Sequence, residues 1–87
     1  MVNQNLHLMW QEKDNTLQAE FTFTNFTQAF AFMTEVAFVA EAQGHHPDWT
    51  NVYNRVSFRL NTHDAGGTVT DQDRNLAQAI DEIAKRY

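Results

Sequence analysis

Three of the four histidines in this 87-residue chain fall in a short stretch, His45, His46 and His63, and a carboxylate, Glu41, precedes the first by four positions. Imidazole changes charge near neutral pH, so a group of histidines can supply both the acid and the base of a proton-transfer reaction. Neutral imidazole is also a common ligand for zinc, copper, iron or nickel, which leaves a metal site as a second chemistry. The spacing is poor for ligation: adjacent histidines in an extended loop point apart, and no His-x3-His pair lies on a helical segment. Cysteine is absent, which removes thiol nucleophiles, cysteine zinc sites and disulfides.

The elements that would hold these residues follow from hydropathy period. Leu6, Leu8 and Trp10 alternate with His7, Met9 and Gln11; beyond the turn-prone Lys13-Asp14-Asn15, Leu17, Ala19, Phe21 and Phe23 alternate with Gln18, Glu20, Thr22 and Thr24. This predicts an antiparallel hairpin with one buried face. Asn25 with Gln28 makes an N-terminal capping pattern, and no Gly or Pro occurs from Phe26 until Gly44, so a long helix is expected over Phe26 to Gln43. On a helical wheel Thr27, Gln28, Thr34, Glu35 and Glu41 share one arc, while Phe30, Met33, Val36, Ala37 and Ala40 oppose it. Phe38 lies within the polar arc, which points to a second covered surface.

A second hairpin is expected from Trp49 to Val52 and from about Arg55 to Asn61, with Val56, Phe58 and Leu60 inward. Thr70 followed by Asp73 forms a capping box for a second helix with the apolar stripe Leu76, Ala79, Ile80, Ile83 and Ala84. The expected fold class is α+β, order β-β-α-β-β-α: one domain over residues 1–87 with a four-stranded antiparallel sheet, two helices on one face and a polar opposite face. In it His45 and His46 enter the second hairpin at the end from which His63 leaves, and Glu41 is near by chain connection. Antiparallel pairing therefore converges them on one pocket.

Eleven Asp and Glu against six Lys and Arg give a formal charge of −5, which disfavours nucleic acid and anionic membrane surfaces and favours a small ligand or a protein partner. The amino-terminal residues lack a signal-peptide pattern and no long apolar run occurs, so a cytoplasmic protein is expected.

The run Glu41-Ala42-Gln43-Gly44-His45-His46-Pro47-Asp48-Trp49, then Tyr53, His63 and Asp73, closely resembles the pterin-4a-carbinolamine dehydratases. The resemblance extends from Trp10 to the end and includes Phe21-x-Phe23-x-x-Phe26, Phe32-Met33-Thr34, Val36-Ala37 and Asn75-Leu76-Ala77. It implies a lyase that removes water from 4a-hydroxytetrahydropterin to give quinonoid dihydropterin, in the recycling of tetrahydrobiopterin, without metal or other cofactor. By that resemblance His45, His46 and His63 are the catalytic histidines and Glu41 a partner that orients or charges His45. Gly44, His45, His46, Asn61, Thr62, His63 and Asp64 line the pterin, Asp73 is the family's acidic position beyond the third histidine, and Trp10 is a candidate stacking surface. It further implies a homodimer or homotetramer, joined through the long helix and through an edge strand, here expected at Leu17 to Phe23. The alternative is a pterin-binding or protein-interaction module without turnover, since animal members also act as dimerisation cofactors of a homeodomain transcription factor.

Overall fold

The computed structural model describes residues 10–87; the expected strand positions Leu6 and Leu8 lie outside the described residues. Its elements are β1 (Gln11–Lys13), β2 (Thr16–Thr22), α1 (Phe26–Gln43), β3 (Asp48–Val52), β4 (Arg55–Leu60), a 3-10 turn (His63–Ala65) and α2 (Asp71–Ala84). The strands form one antiparallel sheet in the order β1-β2-β4-β3.

Asp14 and Asn15 both take left-handed backbone angles, φ 53° and 60°, which closes β1 on β2 in a two-residue turn. Asp and Asn are the side-chain-bearing residues that tolerate this best. The expectation that β2 is a pairing edge is overturned, since β2 lies inside the sheet between β1 and β4; among the described residues β1 and β3 are the edges. Leu17, Ala19 and Phe21 of β2 and Val56, Phe58 and Leu60 of β4 point to the side where both helices pack.

Helix α1 has the predicted bounds. Asn25 Oδ1 accepts the Gln28 N–H at 2.9 Å, and Gln28 Oε1 accepts the Thr24 N–H at 3.1 Å, a reciprocal cap. Its buried face is Ala29, Phe32, Val36 and Ala40, whereas Phe30 is 58% exposed and Ala37 is exposed. The buried stripe is thus turned by roughly 60° from the wheel expectation. The reason is that α1 carries apolar residues all round, so its few polar positions do not single out the inner face. Phe26, Phe30 and Phe38 are all exposed, Phe38 by 73%.

Helix α2 buries Leu76, Ala77, Ile80 and Ile83, with Ala79 and Ala84 half-buried. Rings of Phe21, Phe32 and Phe58 meet at centroid separations of 5.5 to 6.1 Å, joining both layers in one core. No helix among the described residues is long and apolar enough to cross a membrane.

Candidate active site

The carboxyl end of α1 places the first histidine. Gly44 adopts φ 67°; its N–H bonds the Glu41 carbonyl at 3.1 Å, and the His45 N–H bonds the Ala40 carbonyl at 3.1 Å. This paired closure needs a left-handed residue after the helix, which glycine supplies without strain. Space is not the reason, because a Cβ at Gly44 would meet nothing within 4 Å. The chain then leaves the helix at a defined angle, with His45 turned inward.

At the other side of the cleft, Asn61 and Thr62 follow β4. Thr62 bridges to Thr68, and the 3-10 turn with His63 bulges between them, closed by Gly66 and Gly67 in left-handed conformations. Gly44, His45, His46, Pro47, Asp48, Arg59, Asn61, Thr62, His63, Asp64 and Gln72 together line a cleft of about 450 Å³. Of the nine residues expected around the ligand, Gly44, His45, His46, Asn61, Thr62, His63 and Asp64 line this cleft, whereas Asp73 and Trp10 do not.

The central pair is His45 and Asp73. His45 Nε2 lies 2.5 Å from Asp73 Oδ1, with the histidine side chain 11% exposed and the aspartate fully buried. Asp73 Oδ2 accepts the Thr62 hydroxyl and the Thr70 N–H, each at 2.8 Å. Burial pushes this carboxyl toward its neutral form. The hydrogen bonds from His45, the Thr70 N–H and the Thr62 hydroxyl outweigh that, and hold its pKa below the ordinary aspartate value. Asp73 is thus an anion at neutral pH and accepts at both oxygens, so His45 Nε2 carries the shared proton.

Two expectations about partners are corrected. Glu41 bonds His46, not His45: Glu41 Oε1 and His46 Nε2 are 2.9 Å apart, both well exposed. The backbone reversal at Gly44 turns His45 inward and leaves His46 on the rim beside the last turn of α1. Trp10 is absent from the cleft wall; its indole packs on Phe21 and Phe58, and its Nε1 donates to Asp81 Oδ1 at 2.8 Å. Its place just before β1 directs it to the core side of the sheet.

Asp73 does cap α2, and it also holds His45, a partner 28 residues away. Sequence reasoning missed Pro47, Asp48, Arg59 and Gln72 on the wall. For Asp48 and Arg59 a signal existed, as they face each other across β3 and β4 at the end of the hairpin where the histidines emerge. Among the described residues, no three His, Asp or Glu side chains are grouped so as to hold a metal ion.

The family model described as pterin 4 alpha carbinolamine dehydratase matches residues 1–83. The chain belongs to this family. A provisionally named pterin-4-alpha-carbinolamine dehydratase of Prochlorococcus marinus is 51% identical over 74 residues, covering 85% of this chain and 76% of the relative. One from Afipia carboxidovorans, also provisionally named, is 51% identical over 80 residues, covering 90% of this chain and 79% of the relative. Among solved structures, a transcriptional coactivator/pterin dehydratase from Brucella melitensis superposes with a TM-score of 0.83 at 38% identity, covering 94% of this chain and 90% of that one. A pterin dehydratase-like protein described as a RuBisCO assembly factor in the alpha-carboxysome gives a TM-score of 0.71 at 25% identity, with 86% of each chain covered. Proteins to which this chain is similar are thus described by roles other than pterin chemistry as well.

Proposed function

We propose that this member of the dehydratase family eliminates water from 4a-hydroxytetrahydropterin, yielding quinonoid dihydropterin, through acid and base catalysis by cleft histidines. The observation that carries the reading is the buried Asp73 carboxylate bonded to His45 on the wall of a cleft that His46 and His63 also line.

The reaction breaks the bond between C4a and its hydroxyl oxygen, forms a double bond from the adjacent ring nitrogen to C4a, and releases that nitrogen's proton. One proton is added at oxygen and one removed at nitrogen, so no electron acceptor is required. The chemistry calls for an acid near the leaving oxygen and a base near the nitrogen, and imidazoles serve either role near neutral pH. Asp73 keeps Nε2 of His45 protonated, leaving Nδ1 to exchange a proton. His63, on a separate element, offers a second exchanger. The flat pterin edge would find hydrogen-bonding backbone in the segments around Gly44 to His46 and Asn61 to Asp64.

The same reading expects a homodimer or homotetramer, with Phe26, Phe30 and Phe38 of α1 covered by another copy. That exposed aromatic face also favours the second reading, a pterin-binding or protein-interaction module without turnover. Direct measurement of 4a-hydroxytetrahydropterin dehydration by the purified chain separates the two. Acceleration over the spontaneous reaction, lost in His45→Ala, supports the enzyme; pterin binding without acceleration supports the module.

A further inference from the structure

Thr62 is a buried polar residue whose hydroxyl has two partners, Asp73 Oδ2 at 2.8 Å and Thr70 Oγ1 at 2.5 Å. A hydroxyl has one proton to give. Asp73 is anionic and can only accept, so the Thr62 proton goes to Asp73, and the Thr70 hydroxyl donates to Thr62. Thr70 Oγ1 in turn accepts the Gln72 N–H at 3.3 Å. The row from Gln72 through Thr70 and Thr62 to Asp73 therefore runs in one direction. With the Thr70 N–H also on Oδ2, that oxygen holds two donors, while Oδ1 is turned toward His45.

The backbone of Thr62 anchors the other side of the cleft. Its N–H bonds the Thr68 carbonyl at 2.8 Å, and its own carbonyl accepts the N–H groups of Ala65 at 3.1 Å and Gly67 at 3.0 Å. His63 is the next residue and stands on the turn that these bonds close. We infer that the Thr62 hydroxyl is a positioning group: it orients Asp73 so that His45 is held as its Nε2–H form, and it fixes the His63 turn relative to His45. The other titratable residues that line the cleft with His45 are His46, Asp48, Arg59, His63 and Asp64, and Glu41 bonds His46. Among the described residues the side-chain partners of Asp73 are His45 and Thr62, so removing the hydroxyl alters the carboxylate's setting without changing any charge.

The inference rests on the proposed dehydratase reading only for its effect on rate, and the test keeps the two apart. Thr62→Val preserves shape and removes the donor; Thr62→Ser preserves the donor. In nitrogen-15 spectra of histidine-labelled protein, the wild type should show His45 as a single Nε2–H form with a slowly exchanging ring proton. Thr62→Val should lose that signature through mixed forms or fast exchange, and lower kcat by about tenfold or more with KM little changed; Thr62→Ser should restore both. If Thr62→Val does not fold, Thr62→Cys, near in size and a weak donor, is read in the same way. A Thr62→Val protein that keeps the single Nε2–H signal and wild-type turnover overturns the inference, as does failure of Thr62→Ser to restore either. Loss of the signal in Thr62→Val, alongside a wild type with no dehydration, supports the positioning role and overturns the dehydratase reading instead.

Discussion

His45 and Asp73 meet at 2.5 Å across the gap between the end of α1 and the first turn of α2. The aspartate is capped into its own helix and fully buried, so the histidine is held by a group that cannot move independently of α2.

His45→Ala and His63→Ala should each slow dehydration by roughly 10²-fold or more, the scale of losing one general acid or base. Stopped-flow assays with 4a-hydroxytetrahydropterin at saturation provide the check. Wild-type turnover in both variants would mean that the acid and base lie elsewhere.

Asp73→Asn should cost about 2 kcal/mol of stability at neutral pH, because a buried, charge-assisted set of hydrogen bonds is weakened. The native pKa of Asp73 is depressed, so its stabilisation is complete above the ordinary carboxylate value of about 3.9 and is lost as pH falls through the lower native value. Urea unfolding across the acid range should therefore show the wild type converging on the variant below about pH 4. Parallel curves would rule out this contribution.

Glu41→Gln should change kcat/KM by less than about fivefold, since its bond to His46 is exposed on both sides and such pairs contribute about 0–1 kcal/mol. A loss as large as that of His45→Ala would contradict the rim position of this pair.

Phe38→Asp places a charge on the exposed aromatic face of α1. If copies pack through that face, the variant should sediment as a smaller species or melt lower in a concentration-dependent manner. A wild type that is monomeric at tens of micromolar would remove the helix interface and leave the cleft unaffected.

The sequence makes local features plain and distant contacts obscure. Asn25, Gln28 and Gly44 announce both ends of α1 because each acts on backbone within a turn of itself. The hairpin alternation likewise identifies Val56, Phe58 and Leu60 as core. It does not reveal which side of α1 faces inward, since the helix is apolar on most sides and the sheet makes the choice. Thr70 and Asp73 read as a cap, which is correct, but the second oxygen of Asp73 finds its partner through the docking of α2 beside α1. For the same reason the chain neighbours Glu41 and His45 suggest a pair, whereas the reversal at Gly44 gives Glu41 to His46.

Because one oxygen of Asp73 holds both the Thr70 N–H and the Thr62 hydroxyl while the other faces His45, the cleft and the start of α2 should open and close as one cooperative unit. Fraying of that helix turn would release His45 at the same moment. Solvent exchange at the Thr70 amide and at the His45 ring should then report a single opening equilibrium, and warming should extinguish the site's chemistry before the Phe21, Phe32 and Phe58 cluster is disturbed.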